Sequence, residues 1–165
     1  AAAIGEMGYK VAEELRSYGV LGRFSVDVIS VKEETGWKHY AIEINLRKGG
    51  TSHPYLMLQL LTDGVYDAQK AVYNTAGGQP RYYVCSDNLQ SEHFKGLTPH
   101  DLIDIAMCNG LQYDGSSQEG TMFHLISALS QFGKLGLVCI GATPERAQHF
   151  YNKTIEVLYR EGRTY

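Results

Sequence analysis

The sequence predicts an α+β domain with a mainly antiparallel sheet and packed helices. Three observations point there. Two stretches alternate apolar and polar residues around a glycine-closed turn. Three others repeat apolar residues at three- and four-residue steps. The chain then ends in a strand–strand–helix pattern rather than in regular βαβ units. At 165 residues one domain is expected over 1–165, large enough to bury roughly 70% of its unfolded surface.

Ile4, Met7, Val11, Leu15 and Tyr18 fall on one face of a helix that ends before Gly19, with Glu6, Lys10, Glu13 and Arg16 opposite. Leu21 to Val31 and Trp37 to Asn45 read as the two strands of a hairpin, joined through Glu33-Glu34-Thr35-Gly36. If the turn centres near Thr35, Asp27 lies opposite Glu43. Alternation then puts Asn45 on the same side as Glu43. Facing carboxylates repel, and a divalent cation between them reverses that sign. Asp27, Glu43 and the Asn45 carbonyl are hard oxygen donors of the type Mg²⁺ takes. Arg47 follows two residues later, placed to meet an anion. A solvated hairpin face is the plain alternative, yet these acids sit among Val, Ile and Tyr rather than in a charged run.

Next comes Lys48-Gly49-Gly50-Thr51-Ser52-His53. Glycines allow close backbone approach to an anion, and Thr and Ser add donors. The same string also suits a tight turn with a helix cap. Pro54 is expected to start a helix to Thr62, buried along Leu56 to Leu61. His53 is a candidate proton-transfer group or simply a cap. Tyr73 to Pro80 reads as a loop or turn, and Arg81 to Ser86 as a strand. Thr98-Pro99-His100-Asp101 has the layout of a capped helix start, running to Cys108 before Asn109-Gly110. Gly115 to Gly120 is a polar loop, while Thr121 to Ile126 and Leu135 to Ile140 are strands. Thr143-Pro144 opens a last helix with Ala147, Phe150, Thr154 and Leu158 inward, and Arg160 to Tyr165 is expected to fray.

With 15 basic against 18 acidic residues the net charge is −3. No basic stripe for nucleic acid is present. No apolar run reaches the roughly 18 residues of a membrane span. Three separated cysteines, Cys85, Cys108 and Cys139, suggest reduced, mostly buried thiols in an intracellular setting.

An acid on one strand, Glu43-x-Asn45-x-Arg47 on the next, then the GGTSHP loop resemble the magnesium-binding hairpin of the ATP-grasp superfamily. The string EINLRKGGTSHP followed by YLMLQLLTDG is similar to the peptide-ligase branch typified by the pheganomycin ligase. It also resembles the C-terminal region of IQ motif-containing protein H. The resemblance implies an ATP-grasp C-terminal lobe and ATP-dependent joining of a carboxylate to an amine through an acyl-phosphate. It implies Mg²⁺ on Asp27, Glu43 and Asn45, with Arg47 and His53 in the chemistry. Lys48, Gly49, Gly50, Thr51 and Ser52 would border the nucleotide and the acceptor. The family grips ATP between two lobes, and nothing before Gly19 supplies the first lobe's lysines and glycine-rich loop. The expected partner is therefore an upstream ATP-grasp lobe of the same protein, with a small-molecule or peptide substrate and a cytoplasmic setting. Alone, the 165 residues are expected to bind Mg-ATP weakly and to catalyse nothing. The likeness to the IQ-motif protein implies a different role, a scaffold at a cilium with cytoskeletal or calmodulin-type partners.

Overall fold

The computed structural model describes residues 2–162. They form two compact units, residues 2–56 with 66–72, and residues 57–65 with 73–162.

The first unit holds helix α1 (Ala2–Ser17) and a two-stranded antiparallel sheet, β1 (Ser25–Glu33) and β2 (Gly36–Asn45). Glu33 pairs with Gly36, so Glu34 and Thr35 alone make the turn, and Gly36 takes φ +135°, which a side chain would resist. Helix α2 (Ser52–Thr62) begins two residues before the expected Pro54. Ser52 and His53 therefore lie in its first turn rather than ahead of it.

A five-stranded sheet has the order β3 (Val65–Asp67), β4 (Val72–Asn74), β5 (Pro80–Gln90), β7 (Lys134–Gly141), β6 (Gly120–His124), and its β5, β7 and β6 form the centre of the second unit. Strand β7 runs antiparallel to both β5 and β6. Leu135, Leu137, Val138, Cys139 and Ile140 are all buried, because an interior strand covered on both faces needs an apolar residue at every position. Helices α3 (Pro99–Cys108), α4 (Leu129–Phe132) and α5 (Pro144–Glu161) complete the unit. Leu102 of α3, Leu129 of α4 and Leu158 of α5 meet Phe94, Leu97 and Leu135 in one cluster. Ala106, Leu137, Cys139, Phe150 and Val157 form a second.

The capped helix starts are present as expected. Thr98 and Asp101 make a reciprocal capping box, and Thr143 accepts the Arg146 N–H. Four expectations are corrected. The apolar run of α2 is buried on one side only: Leu58 is buried, but Leu60 is 85% exposed. Two residues are about 200° of helical rotation, so both cannot face the same core. The strand from Thr121 stops at His124, where Leu125 takes a left-handed φ of 54° and a 3-10 turn follows at Ile126–Ala128. Helix α5 continues through Glu161, with Arg160 Nη2 bonded to Asn109 at 2.8 Å; the rest of the expected frayed tail, from residue 163, lies outside the described residues. The thiols are free, but Cys85 and Cys108 are exposed and only Cys139 is buried.

Candidate functional site

Asp27 stands directly across from Glu43, and Ser25 across from Asn45. The turn does not centre on Thr35, however. From Glu33–Gly36 to Val28–Ala41 the ladder is centred between Glu34 and Thr35, and an unbroken ladder would set Asp27 against Ile42. A β-bulge between Asp27 and Val28 shifts the register by one. Ile42 is the extra residue, and Glu43 takes its place opposite Asp27. The expected pairing is thus present through a bulge that the sequence reasoning missed.

The Asn45 side-chain amide donates to Asp27 Oδ2 at 3.5 Å, which leaves its carbonyl oxygen as a third donor beside the two carboxylates. Among the described residues no three His, Cys, Asp or Glu side chains gather to hold a metal. A cation here would rest on Asp27, Glu43 and Asn45, completed by water or phosphate oxygens. That all-oxygen set fits Mg²⁺, which keeps several such ligands and needs only one or two carboxylates.

Arg47 lies two residues beyond the end of β2. Its Nη1 sits 3.4 Å from where a Cβ on Gly49 would be, so the guanidinium leans over the loop. Within the loop, the Gly49 N–H donates to Ser52 Oγ at 3.2 Å, and the Ser52 N–H returns a bond to the Gly49 carbonyl at 3.0 Å. These reciprocal bonds make Gly49 to Ser52 a closed turn ahead of α2 and commit two of its donors. Lys48, Gly50, Thr51 and His53 are exposed around it.

Two contacts in this unit were missed from sequence. Arg23, just before β1, stacks its guanidinium 4.4 Å over the Tyr55 ring. Ser30 Oγ and His39 Nδ1 lie 2.8 Å apart on the hairpin face opposite Asp27. An arginine beside a tyrosine 32 positions away has no local signature, whereas Ser30–His39 follows once the register is known. The hairpin also keeps apolar side chains in solvent on both faces: Ile29, Val31 and Tyr40 on one, Trp37 and Ile44 on the other.

In the second unit Glu119 is structural. Glu119 accepts the Ala142 N–H at 2.7 Å and pairs with Arg146 Nε at 3.3 Å, holding the start of α5. Burial pushes the Cys139 thiol up to about 12, so it is an inert packing group.

The PGM1 C-terminal domain family model matches residues 101–154. The chain is 31% identical over 141 residues to the L-propargylglycine–L-glutamate ligase of Streptantibioticus cattleyicolor. That alignment covers 86% of this chain and 28% of the relative, so the chain spans less than a third of the curated relative it matches. No helix among the described residues is long and apolar enough to cross a membrane. The chain is thus similar to the PGM1 C-terminal domain in its C-terminal part and, over most of its length, to a part of that ligase.

Proposed function

We propose that this chain is the Mg²⁺-binding part of an ATP-dependent ligase that joins a carboxylate to an amine. The observation that carries the reading is the Asp27–Glu43 pair, set face to face by a bulge and joined by Asn45. Facing carboxylates weaken a hairpin that has no cation, and this hairpin spends an irregularity to create them.

In this reading Mg²⁺, when bound, would neutralise the oxygens of the nucleotide phosphates. Asp27 and Glu43 would hold it as anionic donors and Asn45 as a neutral one. Arg47, leaning over Gly49, would present a planar cation suited to two oxygens of a phosphate or an acyl-phosphate. Lys48, Gly50 and Thr51 border the position where phosphate and acceptor would meet. His53, in the first turn of α2, is a candidate for taking the proton that the attacking amine must lose. The exposed apolar side chains of the hairpin would pack against an upstream ATP-grasp lobe of the same protein, which would supply the rest of the nucleotide clamp. The substrates would be amino-acid or short-peptide carboxylates and amines, in keeping with the two amino acids in the relative's name. A cytoplasmic setting, where ATP and Mg²⁺ are supplied, accords with this. The likeness to IQ motif-containing protein H rests on sequence resemblance alone.

The test is calorimetric titration of the full-length protein with ATP, with and without Mg²⁺, for wild type and Glu43→Gln, followed by an ADP-release assay with amino-acid mixtures. The reading requires Mg-dependent binding that Glu43→Gln weakens at least about tenfold. Mg-independent ATP binding with unchanged affinity in the variant would sink it.

A further inference from the structure

Between α3 and the outer edge of β6 the second unit has a cavity of about 360 Å³, lined by Leu102, Ile103, Met107, Met122, Phe123 and Ile126 among others. Its volume falls in the range of ligand sites. Ile103 and Met107 are 52% and 61% exposed, so one wall is apolar side chain standing in solvent. No lining residue carries a charge at neutral pH. The Tyr113 hydroxyl is spent on the Leu61 carbonyl at 3.0 Å, and the Thr121 hydroxyl on Thr154 and Cys139.

The backbone beside the cavity says what kind of occupant suits it. Strand β6 is last in the sheet order, pairs with β7 on one side, and on the other carries a single bridge, between Thr121 and Gln112. The Thr121 N–H points off the sheet, donating to the Leu111 carbonyl at 2.7 Å. In an antiparallel ladder the direction of these groups alternates, so Phe123, two residues on, turns its N–H and C=O to the same outer side. The loop at Leu111 covers Thr121 but does not bond to Phe123. A donor and an acceptor in extended geometry thus lie at the rim of an uncharged apolar hollow.

We propose that this groove takes an extended peptide segment, one residue of which pairs with Phe123 while an uncharged apolar side chain enters the cavity. This is recognition by strand addition, with the main chain giving registration and the hollow giving selectivity. A charged side chain would lose its hydration against a lining that holds no opposite charge and, beside the two committed hydroxyls, only the neutral Gln112 amide. A second copy of this chain fits less well, because it would bring the same hollow to the edge and no side chain to fill it. The inference is independent of the ligase reading, which concerns the other unit.

The experiment uses the full-length protein and the neutral peptide acetyl-Ala-Gln-Leu-Gln-Ala-amide, followed by NMR at the Phe123 amide and the Met107 methyl. Saturable shifts at both are expected, with affinity on the order of millimolar. N-methylating the peptide's leucine should weaken binding by about tenfold, as should Met107→Glu, while Leu60→Glu changes nothing. If Met107→Glu does not fold, Ile103→Ser replaces it. Equal binding of the N-methylated peptide would overturn the proposal, because the site would then be an apolar patch without strand pairing. So would a Phe123 amide already protected from exchange without peptide, whether a second copy or another segment of the protein covers it. Absence of any shift would overturn it as well.

Discussion

Asp27 and Glu43 occupy directly opposed positions on β1 and β2, with the Asn45 amide reaching across to Asp27 at 3.5 Å. Without a cation this is a like-charge pair on a two-stranded sheet, and Glu43→Gln should stabilise the hairpin by about 0.5 kcal/mol at low ionic strength. With millimolar Mg²⁺ the order should reverse, wild type gaining more than the variant. Urea midpoints of both proteins with Mg²⁺ and with chelator give the comparison; identical shifts would mean that the pair holds no ion.

Deleting Ile42 removes the bulge. The ladder centred between Glu34 and Thr35 can then run unbroken, and the residue that was Glu43 remains opposite Asp27. Inserting an alanine between Tyr40 and Ala41 moves an apolar residue into that place instead. The deletion should therefore keep Mg²⁺ affinity within about threefold, and the insertion should abolish it with little change in overall stability. Calorimetry of the two variants separates the importance of the pairing from that of the bulge.

Much of this was legible. The Thr98 and Thr143 caps, the apolar run of β7 and the inward residues of α5 all follow from short-range rules, and the structure has each of them. The Asp27–Glu43 pairing was read correctly from a turn centre half a residue away from the real one, with the bulge making up the difference. What escaped needed information from outside the local window. The side of α2 that is covered depends on distant residues, so Leu60 was placed inside with Leu58. The left-handed Leu125 ends β6 at a residue type that carries no turn signal. The Gly49–Ser52 bonds turn a string with two open readings into a closed turn, and only coordinates distinguish those.

Acid stability should fall in a defined window. Asp114 is held well below the usual carboxylate range, first by the hydroxyls of Ser116 and Ser117 and then by their backbone N–H groups. Asp101 is lowered by Thr98, whose hydroxyl and N–H it accepts. A carboxylate with a depressed folded value stabilises fully above its ordinary value of 3.8 and loses that contribution as pH falls below it. Urea midpoints from pH 5 down to about 2 should decline for wild type. The slope should be shallower in Asp114→Asn, and parallel curves would contradict the assignment.

Core and surface apolar residues of the second unit should separate cleanly. Phe94 is fully buried among Leu97, Leu102 and Leu158, and Phe94→Ala should cost about 3–5 kcal/mol. Leu60→Ala, at an exposed site, should stay within about 0.5 kcal/mol. Denaturant curves of the two variants decide this, and a large loss at Leu60 would show that something covers it in solution.

The chain contains one tryptophan, and it lies on the hairpin. Trp37 is 62% exposed and pairs with Lys32, on the face turned away from Asp27 and Glu43. Its emission is therefore a built-in optical gauge of that face alone. Ion capture by the acidic pair should leave the indole in water and its spectrum red, whereas anything laid against the far side of the hairpin should dry the ring and shift the spectrum to the blue. Two events at one small sheet can thus be told apart without adding a label.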